Sequence, residues 1–436
     1  MKKNFPAMFL ILTIVGGFAL IGTLPLSTAQ NTVNGTNVNG IISSDTTWTK
    51  TDSPYSLTGP TGVASGVTLT IEPGAKVNLG EYTLQVGGTL YARGGSGAKN
   101  ITFVSKAAAY GNIAFANGSS SWDEFQGSGS IIENAIFSST SISINNASPK
   151  INNNTIAGNI NVDFGAEPLI SRNFINGDIG VHSSSPRIEH NSIVGGVNIG
   201  GDAPVILNNI IEGGGIAGVG IKFDGPYNID IYGNVVYGCA TGISGLGGAT
   251  IGRNLIIDNE EGIELSSSRI LIQNNTIADN SIGIKIRYYA VPISRNSIQK
   301  VLTITRNNIQ NNSQNSIYLE DARGDVDATA NWWGTIDTQL INLTIHDRKN
   351  EPKLGIVTFV PTLSDPVPEA PTTTYTPITQ PHPPSQGSTT QQGNGVNNQT
   401  NNQTGVYVIA VAAIILSVII NISLAVVITV LLRKNR

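Results

Sequence analysis

The sequence predicts an all-β solenoid of stacked parallel strands, and two repeated patterns carry that prediction. The first recurs eleven times, and it consists of an apolar residue, two variable residues, Asn, one variable residue and a second apolar residue. Repeats with periods near 20 residues indicate a solenoid, in which each unit buries its apolar face against its neighbours. The copies begin at Ile131, Ile151, Ile170, Ile188, Ile206, Ile231, Ile251, Ile272, Ile293, Ile304 and Ala328.

The second pattern lies between the Asn copies and alternates inward apolar residues with outward ones. Alternation with a period of two is typical of a strand that has one buried face. Of its 18 inward positions, 17 hold a large apolar residue and only Gly245 does not. Each coil is therefore predicted to contain three strands: one before the Asn, one after it, and this third strand. The inward pairs are Ile142/Ile144, Ile160/Val162, Ile179/Val181, Val197/Ile199, Ile221/Phe223, Ile243/Gly245, Ile263/Leu265, Ile284/Ile286 and Ile317/Leu319.

The repeated Asn has two predicted roles. It tolerates the left-handed backbone conformation that a sharp bend between strands needs. Its amide can also donate to and accept from the Asn one coil away, which forms a ladder. Residues 293–298 are a partial copy without a third strand, and they are predicted to be an inserted loop. The predicted ladder consists of Asn134, Asn154, Asn173, Asn191, Asn209, Asn234, Asn254, Asn275, Asn307 and Asn331.

The two ends of the chain predict export and membrane anchoring. Residues 1–29 begin with two lysines, continue as an apolar run and end in small residues, which is typical of a secretory signal peptide. An uncleaved signal anchor is the alternative. Residues 406–432 carry no charge and exceed the roughly 20 residues that a membrane helix needs. The basic tail at 433–436 marks the cytoplasmic side. We therefore expect a cell-membrane protein with one transmembrane helix and an extracellular ectodomain.

Three segments lie between these ends. Residues 30–66 are predicted to be an N-terminal segment and cap, and residues 67–361 to be the solenoid. Residues 362–405 lack Lys and Arg and are rich in Pro, Thr, Asn and Gln, so they are predicted to be a disordered stalk. Asn-x-Ser/Thr sequons, which matter in an exported chain, make these residues glycosylation candidates: Asn34, Asn100, Asn117, Asn146, Asn153, Asn274, Asn311, Asn342, Asn398 and Asn402.

The composition argues against two classes of interaction. The formal net charge is −4 and charged residues make up only 12% of the chain. Because no basic patch is evident, nucleic acid is not an expected partner. The single cysteine, Cys239, cannot form an internal disulfide and is expected to be buried as a small hydrophobe.

The chain resembles the right-handed parallel β-helix superfamily, whose best-known members are pectate-lyase-like. The Asn ladder carries part of this likeness. Segments 67–77, 88–94 and 101–105 are similar to the first rungs of many cell-surface β-helix proteins. The motif Asn331-Trp-Trp-Gly-Thr335 is similar to the closing rung of microbial, often archaeal, surface proteins. The likeness, over residues 41–361, implies the fold but no activity, because the superfamily holds lyases, hydrolases, adhesins and non-enzymes.

The outward positions of the third strands are the predicted binding surface, since pectate-lyase-like enzymes use such a face as a sugar groove. Two tyrosines in the loop that follows Arg287 could stack on a sugar ring. The alternative is a set of solvated cross-rung pairs such as Glu264 with Lys285, each contributing at most about 1 kcal/mol. The binding candidates are Lys222, Asp224, Glu264, Lys285, Arg287, Tyr288, Tyr289, Tyr318 and Glu320.

Catalytic signals are weak. The Asn-Thr-Asp, Asp-Asp, Gly-His-Gly and Arg-x-Lys motifs of polygalacturonase-like enzymes do not occur. Asp163 and Asp224 share one outward row but lie three rungs apart, roughly 14 Å, too far to act as a glycosidase pair. No cofactor is required, although Ca²⁺ could bind a turn that offers several carboxylates. That turn contains Glu320, Asp321, Asp325 and Asp327, and an ordinary solvated turn is the alternative.

These features predict a non-catalytic, membrane-anchored surface protein that binds glycan, mediates adhesion or contributes to envelope structure. The alternative is an extracellular polysaccharide lyase or glycoside hydrolase. The ligand and the oligomeric state stay open. Functional residues are expected where the repeat is interrupted, at 212–220, 287–303 and 320–327.

Overall fold

The computed structural model describes residues 35–106, 111–213, 218–225, 228–267, 269–287 and 302–375. Within these ranges the chain coils into a right-handed parallel β-solenoid of about 13 turns, which confirms the predicted fold. The predicted signal peptide, the span at 406–432 and the inserted loop at 293–298 lie outside the described residues. Among the helices of the described ranges, none combines the length and the apolar character that a bilayer crossing requires.

The strands that precede the Asn of each coil form one parallel sheet, which we call the pre-Asn sheet. Successive coils pair in register, so that Ile151 lies beside Ile170 and Ile170 beside Ile188. The sheet contains Thr46–Trp48, Thr68–Ile71, Thr89–Arg93, Ile131–Glu133, Lys150–Asn152, Leu169–Ser171, Arg187–Glu189, Val205–Leu207, Asn228–Tyr232, Gly248–Gly252, Ile270–Gln273, Leu302–Thr305, Val326–Asp327 and Val357–Thr358.

A second parallel sheet holds the other two strands of each coil. The post-Asn strands are Lys76–Gly80, Ile101–Ser105, Ala135–Ser138, Thr155–Ala157, Phe174–Asn176, Ser192–Gly195, Ile210–Gly213, Val235–Tyr237, Leu255–Ile257, Thr276–Ala278 and Asn308–Gln310. The third strands are Thr83–Val86, Asn112–Phe115, Ser141–Asn145, Ile160–Asp163, Ile179–His182, Val197–Gly200, Val219–Asp224, Thr241–Gly245, Glu261–Leu265, Ile282–Arg287, Asn315–Glu320 and Ile345–His346. Two longer strands at the start, Thr36–Ile42 and Tyr55–Val63, span both columns.

The core is one continuous stack of inward side chains that runs the length of the solenoid. The predicted inward residues of the third strands are all buried, and most have no exposed surface. The exception in the pattern has a steric reason. A Cβ atom at Gly245 would lie 2.0 Å from the ring of Phe223 in the preceding coil. Gly245 therefore provides the volume that the larger neighbour occupies.

Both ends of the solenoid are closed by side chains. At the first coil Trp48 stacks on Tyr55 with ring centroids 4.9 Å apart, so the segment predicted as a cap already has the solenoid fold. A short 3₁₀ helix, Gly97–Lys99, interrupts an early coil. Near the last coil lies the helix Thr338–Leu343, whose N-cap Asp337 accepts a hydrogen bond from Gln339 N at 2.9 Å.

A buried ladder of Asn side chains follows the bend between the pre-Asn and post-Asn strands. In its middle, Asn254 Nδ2 donates to Asn275 Oδ1 at 2.9 Å and to the carbonyl of Ile231 at 2.9 Å. The backbone N–H of Asn254 donates to the same Oδ1. Each amide thus pairs backbone groups that the bend would leave unsatisfied. The ladder contains Asn154, Asn173, Asn191, Asn209, Asn234, Asn254, Asn275, Asn307 and Asn331.

The left-handed conformation predicted for the ladder Asn belongs to the residue before it. Asn153 and Arg172, which precede two ladder residues, have φ of 54° and 55°. The ladder Asn itself is placed with its side chain inward, where its amide hydrogen bonds hold it. The residue before the ladder Asn therefore makes the bend, and the ladder Asn supplies the hydrogen bonds.

Asn134 does not belong to the ladder, so this prediction is wrong by one residue. Ile132 pairs with Ile151 in the core, and Asn134 takes the left-handed position with φ of 55°. Ala135 occupies the ladder position, where its N–H donates to Asn154 Oδ1 at 2.9 Å. A shift of one residue exchanges the two faces of a strand, so the burial of Ile132 decides the register.

Residues 362–375, which we call the strap, run back along the outer face of the post-Asn strands. Val367 N donates to Asn308 Oδ1 at 2.7 Å, and Val367 is only 3% exposed. The ring of Tyr375 packs on Tyr237 with centroids 4.7 Å apart. The strap belongs to the segment predicted as a disordered stalk, so that prediction is wrong for these residues. Proline lacks the N–H that a strand inside a sheet donates, but it is compatible with a segment that docks through a few separate contacts.

Candidate functional site

Two outward rows on the third strands form the predicted binding surface, and the strand register aligns the residues within them. Neighbouring coils are about 4.8 Å apart, so each row is a regular series of side chains along the axis. We call this surface the third-strand face. The first row contains Ser143, Asn161, Gly180, Asn198, Lys222, Ser244, Glu264, Lys285 and Tyr318. The second contains Asn145, Asp163, His182, Gly200 and Asp224, and further along Arg287 and Glu320.

The charged residues at the later end of the third-strand face pair with one another, two cations with three carboxylates. Lys285 Nζ lies 2.8 Å from Glu261 Oε1 and 3.3 Å from Glu320 Oε1. Arg287 Nε lies 2.8 Å from Glu264 Oε1 and 2.6 Å from Glu320 Oε2, although its N–H is aligned with neither oxygen. The expected pair of Glu264 with Lys285 is thus replaced by Glu264 with Arg287. This cluster is an internal network, and its charges are poorly placed to recruit a charged ligand.

The protonation of Lys285 follows from this network. Burial of the amine disfavours its charge, but the hydrogen bond and charge of Glu261, together with Glu320, outweigh burial and raise the pKa of Lys285. The side chain is 9% exposed. Lys285 therefore stays protonated at physiological pH and holds the two carboxylates together.

The earlier part of the third-strand face is more open. Asp163 Oδ1 lies 3.0 Å from His182 Nδ1, and the His182 side chain is 65% exposed. Gly180 and Gly200 lie beside His182, and a Cβ at Gly200 would approach its ring to 3.3 Å. Neither glycine adds a side chain against the imidazole, which leaves most of the ring exposed. Lys222 and Asp224, on the coil after Gly200, are both exposed.

One aromatic candidate lies at the end of the face and two others lie outside the described residues. Tyr318 stacks on His346 with centroids 4.5 Å apart. This contact holds one face of the phenol ring against the last coil and leaves the residue half-buried. Tyr288 and Tyr289, the tyrosines of the predicted loop, are not among the described residues.

The four carboxylates proposed for Ca²⁺ are engaged with separate partners. Asp321 lies 2.7 Å from Lys353 Nζ, whose hydrogen bond and charge lower the pKa of that carboxyl. Asp325 accepts from Ile356 N at 2.8 Å, and Asp327 accepts from Thr329. Glu320 belongs to the network of Lys285 and Arg287. Within the part of the chain that the structure describes, no group of three or more His, Cys, Asp or Glu is arranged to hold a metal ion.

The sequons differ in accessibility. Seven lie among the described residues. Six of these are on turns or next to strand ends, Asn342 lies in the helix Thr338–Leu343, and none is at an outward position inside a third strand. Asn117, Asn146, Asn153, Asn311 and Asn342 are exposed. Asn100 and Asn274 are half-buried, and Asn34, Asn398 and Asn402 lie outside the described residues.

A second, shorter Asn ladder was missed from the sequence. Asn259 Nδ2 donates to Asn280 Oδ1 at 3.0 Å, and Asn280 Nδ2 donates to Asn312 Oδ1 at 3.1 Å. Buried Cys239 begins this series, because its N–H donates to Asn259 Oδ1. Each of these residues lies five positions after a residue of the first ladder. That constant offset is the sequence signal that could have identified them.

The strap was also missed, although the sequence contains a signal for it. In two of the later coils the outward residues of the post-Asn strands are apolar: Val235, Tyr237, Leu255 and Ile257. Strands that are apolar on both faces are typical of sheets covered on both sides. Tyr237, Leu255 and Ile257 are buried, and Tyr375 packs against this cluster.

Comparison with known proteins supports the fold and leaves the function open. Residues 179–332 match a family described as a right handed beta helix region. The fold is consistent with the pectate-lyase-like superfamily. No curated protein and no solved structure matches the chain significantly. The class of protein that emerges is a right-handed β-helix.

Proposed function

We propose that this chain is a membrane-anchored surface protein whose third-strand face binds an extracellular glycan without cleaving it. The observation that carries the proposal is the open polar surface around His182, Lys222 and Asp224. Hydroxyl-rich ligands are bound by convergent hydrogen-bonding and charged groups of this kind. Because the coils repeat every 4.8 Å or so, a linear polymer lying along the axis meets similar groups at regular intervals.

A non-catalytic role is supported by the spacing of the carboxylates. A glycosidase places two carboxyl groups about 5–10 Å apart across the scissile bond. Asp163 and Asp224 lie three coils apart on the same row, a separation of roughly 14 Å. The carboxylates of the later network are held by Lys285 and Arg287 instead.

The surface location rests on the two ends of the sequence. The apolar segment 406–432 followed by basic residues fits a membrane anchor, and residues 1–29 fit an export signal. The exposed sequons on the turns fit an extracellular chain.

Incubating the purified full-length chain with a polysaccharide panel, with and without Ca²⁺, tests this proposal. We expect binding without new reducing ends or unsaturated uronates. The double substitution Lys222→Ala and Asp224→Ala should weaken binding by roughly tenfold or more, the effect of losing two polar contacts. The matched control is Arg187→Ala with Glu189→Ala, which removes two outward charged residues of the same spacing from a strand of the pre-Asn sheet. Unchanged binding in the first variant would refute the assignment of the face.

The rival function is a polysaccharide lyase or hydrolase, and the Asp163–His182 pair favours it. With Nδ1 hydrogen-bonded to the carboxylate, neutral His182 carries its lone pair on Nε2 and could accept a proton. Cleavage products from the wild-type chain that disappear in His182→Ala would replace the binding proposal with this one.

A further inference from the structure

The strap encloses a cleft against the post-Asn strands that is separate from the third-strand face. Its volume is about 340 Å³, which lies at the small end of the range for ligand pockets, roughly 300–1,000 Å³. Thr276, Asn308 and Gln310 form the solenoid side, and strap residues 366–368 and 370–373 form the other side.

Two of the polar side chains in the cleft hold the strap. Asn308 Oδ1 accepts from Val367 N at 2.7 Å, and Asn308 Nδ2 donates to Val367 O at 3.4 Å. The Thr276 hydroxyl donates to the carbonyl of Pro371. These groups fix the width of the cleft, and their hydrogen-bonding capacity is largely used in doing so.

Gln310 is placed differently, because Trp332 determines the orientation of its amide. Trp332 Nε1 lies 3.2 Å from Gln310 Oε1. An indole N–H can only donate, so the oxygen must face the tryptophan and the NH₂ group faces away from it. Gly334 packs against the same side chain, where an added Cβ would come within 3.2 Å of Gln310 Cβ. The amide is thus a positioned donor, and Trp332 is its positioning residue.

The lack of charged residues in the cleft indicates the class of ligand. None of the residues that line it carries a formal charge. The neighbouring cleft on the other flank of the strap, about 250 Å³, is lined by Arg306 and Asp365 among others. An anionic ligand therefore has no counter-charge among the lining residues, whereas a neutral ligand avoids the larger cost of desolvating a charge.

We propose that this cleft binds a neutral saccharide unit, with Gln310 Nε2 donating to a ring hydroxyl. The exposed hydroxyls of Thr372 and Thr373 supply further partners, and the proline rings of the strap pack on the C–H face of the sugar. This site rests on the proposed glycan-binding function for the class of its ligand. The cleft would be a second glycan-binding site, on a different face of the solenoid from the site around His182.

The test compares two probes on the full-length chain: methyl β-galactopyranoside and the corresponding uronate, in which a carboxylate replaces the C6 hydroxymethyl group. Saturation-transfer NMR should detect the neutral glycoside, with at least a tenfold preference over the uronate and no dependence on salt. Gln310→Leu should lose this signal and Trp332→Phe, which frees the amide to rotate, should reduce it. Gln273→Leu makes the same change on the pre-Asn sheet and should leave the signal intact. Thermal unfolding of each variant controls for folding.

The outcomes separate the two proposals. Loss of the signal in Gln310→Leu, with binding retained in Gln273→Leu, supports the cleft. Binding that survives Gln310→Leu but is lost with Lys222→Ala and Asp224→Ala overturns the cleft and leaves the third-strand face as the glycan site. If neither these glycosides nor the polysaccharide panel binds the wild-type chain, both proposals fail.

Discussion

The coils built by residues 131–211 and those built by residues 228–333 share one core but differ on the outside. In the earlier coils the outward residues of the post-Asn strands, such as Thr155, Phe174 and Asn176, are half-buried or exposed. In the later coils Leu255 and Ile257 take these positions and are buried in a cluster that includes Tyr375 of the strap. The repeat therefore specifies the inside of the solenoid, and departures from it on the outside mark surfaces that another segment covers.

The third-strand face shows the same division. Its earlier part presents His182, Lys222 and Asp224 to solvent, and Gly180 and Gly200 lie beside His182. Its later part is an ion-pair network in which Lys285 is nearly buried. In the earlier coils the third-strand face is open and the outer face of the post-Asn strands is uncovered. In the later coils the ion-pair network occupies the first surface and the strap covers the second.

The largest expected effect concerns the core that both regions share. Asn254→Ala removes two buried donor bonds and leaves the N–H of Asn234 without its acceptor. We expect a loss of about 3–5 kcal/mol in the free energy of unfolding, since each buried unsatisfied group costs about 1–3 kcal/mol. Chemical denaturation measures it. The control is Asn134→Gly, which keeps the left-handed backbone outside the ladder and should cost less than about 1 kcal/mol. Equal costs would contradict the ladder assignment.

A smaller effect should be confined to the later coils. Val367→Asp places a charge at a buried position of the strap and should cost about 2–3 kcal/mol of docking free energy. Limited proteolysis should then cut the strap while the solenoid stays intact. Asp365→Ala, at an exposed position two residues away, is the control and should be cut at the wild-type rate. If the strap is not docked in the wild-type chain, then the wild type, Val367→Asp and Asp365→Ala will all be cleaved at the same rate.

High pH should release the strap through Tyr375. Burial raises the pKa of the Tyr375 phenol above its usual value near 10, and the charge of Asp258 adds to the effect. Because the docked strap favours the protonated phenol, its contribution is complete below pH 10 or so and is lost as pH rises towards the raised pKa. Cleavage of the strap should accelerate several-fold over that range. In Tyr375→Phe this acceleration should be absent, and its persistence would assign the pH dependence to another group.

The smallest effect is expected at the ion pair between strap and solenoid. Arg306 Nη2 lies 2.8 Å from Glu369 Oε2, but both side chains are close to half exposed. Glu369→Gln should therefore weaken strap docking by at most about 0.5 kcal/mol, and less at high salt. A double-mutant cycle with Arg306→Gln measures the coupling. A coupling above about 1.5 kcal/mol would show that this pair, rather than Val367, holds the strap.

The fold could be predicted from the sequence because every coil repeats the same local choices. The alternation at Ile160/Val162 and its equivalents determines which residues face inward, and the structure agrees at each such pair. The register at Asn134 could not be predicted from that motif alone, because Ile131 and Ile132 both offer an apolar residue. Only the pairing of Ile132 with Ile151 between coils resolves the choice.

The covered surfaces were harder to predict because they depend on contacts between distant residues. The strap resembles a linker in composition, and its docking on Asn308 joins residues 59 positions apart in the sequence. The pattern of outward positions identified Glu264, Lys285, Arg287 and Glu320 but neither Glu261 nor the pairing. Lys285 reaches Glu261 and Glu320 rather than Glu264, which such a pattern does not specify. The open surface at His182 depends on neighbouring glycines, whose effect appears only when coils are stacked.

Hydrogen exchange at the Val367 amide tests most directly whether the later coils are covered by their own chain. This N–H donates to Asn308 Oδ1, a side-chain acceptor that is available only when the strap is docked. Slow exchange in the wild-type chain, lost in Asn308→Leu while the solenoid amides stay protected, is the expected result. Exchange of the wild-type Val367 amide at the rate of an unstructured peptide would show that the strap does not cover the post-Asn strands of the later coils.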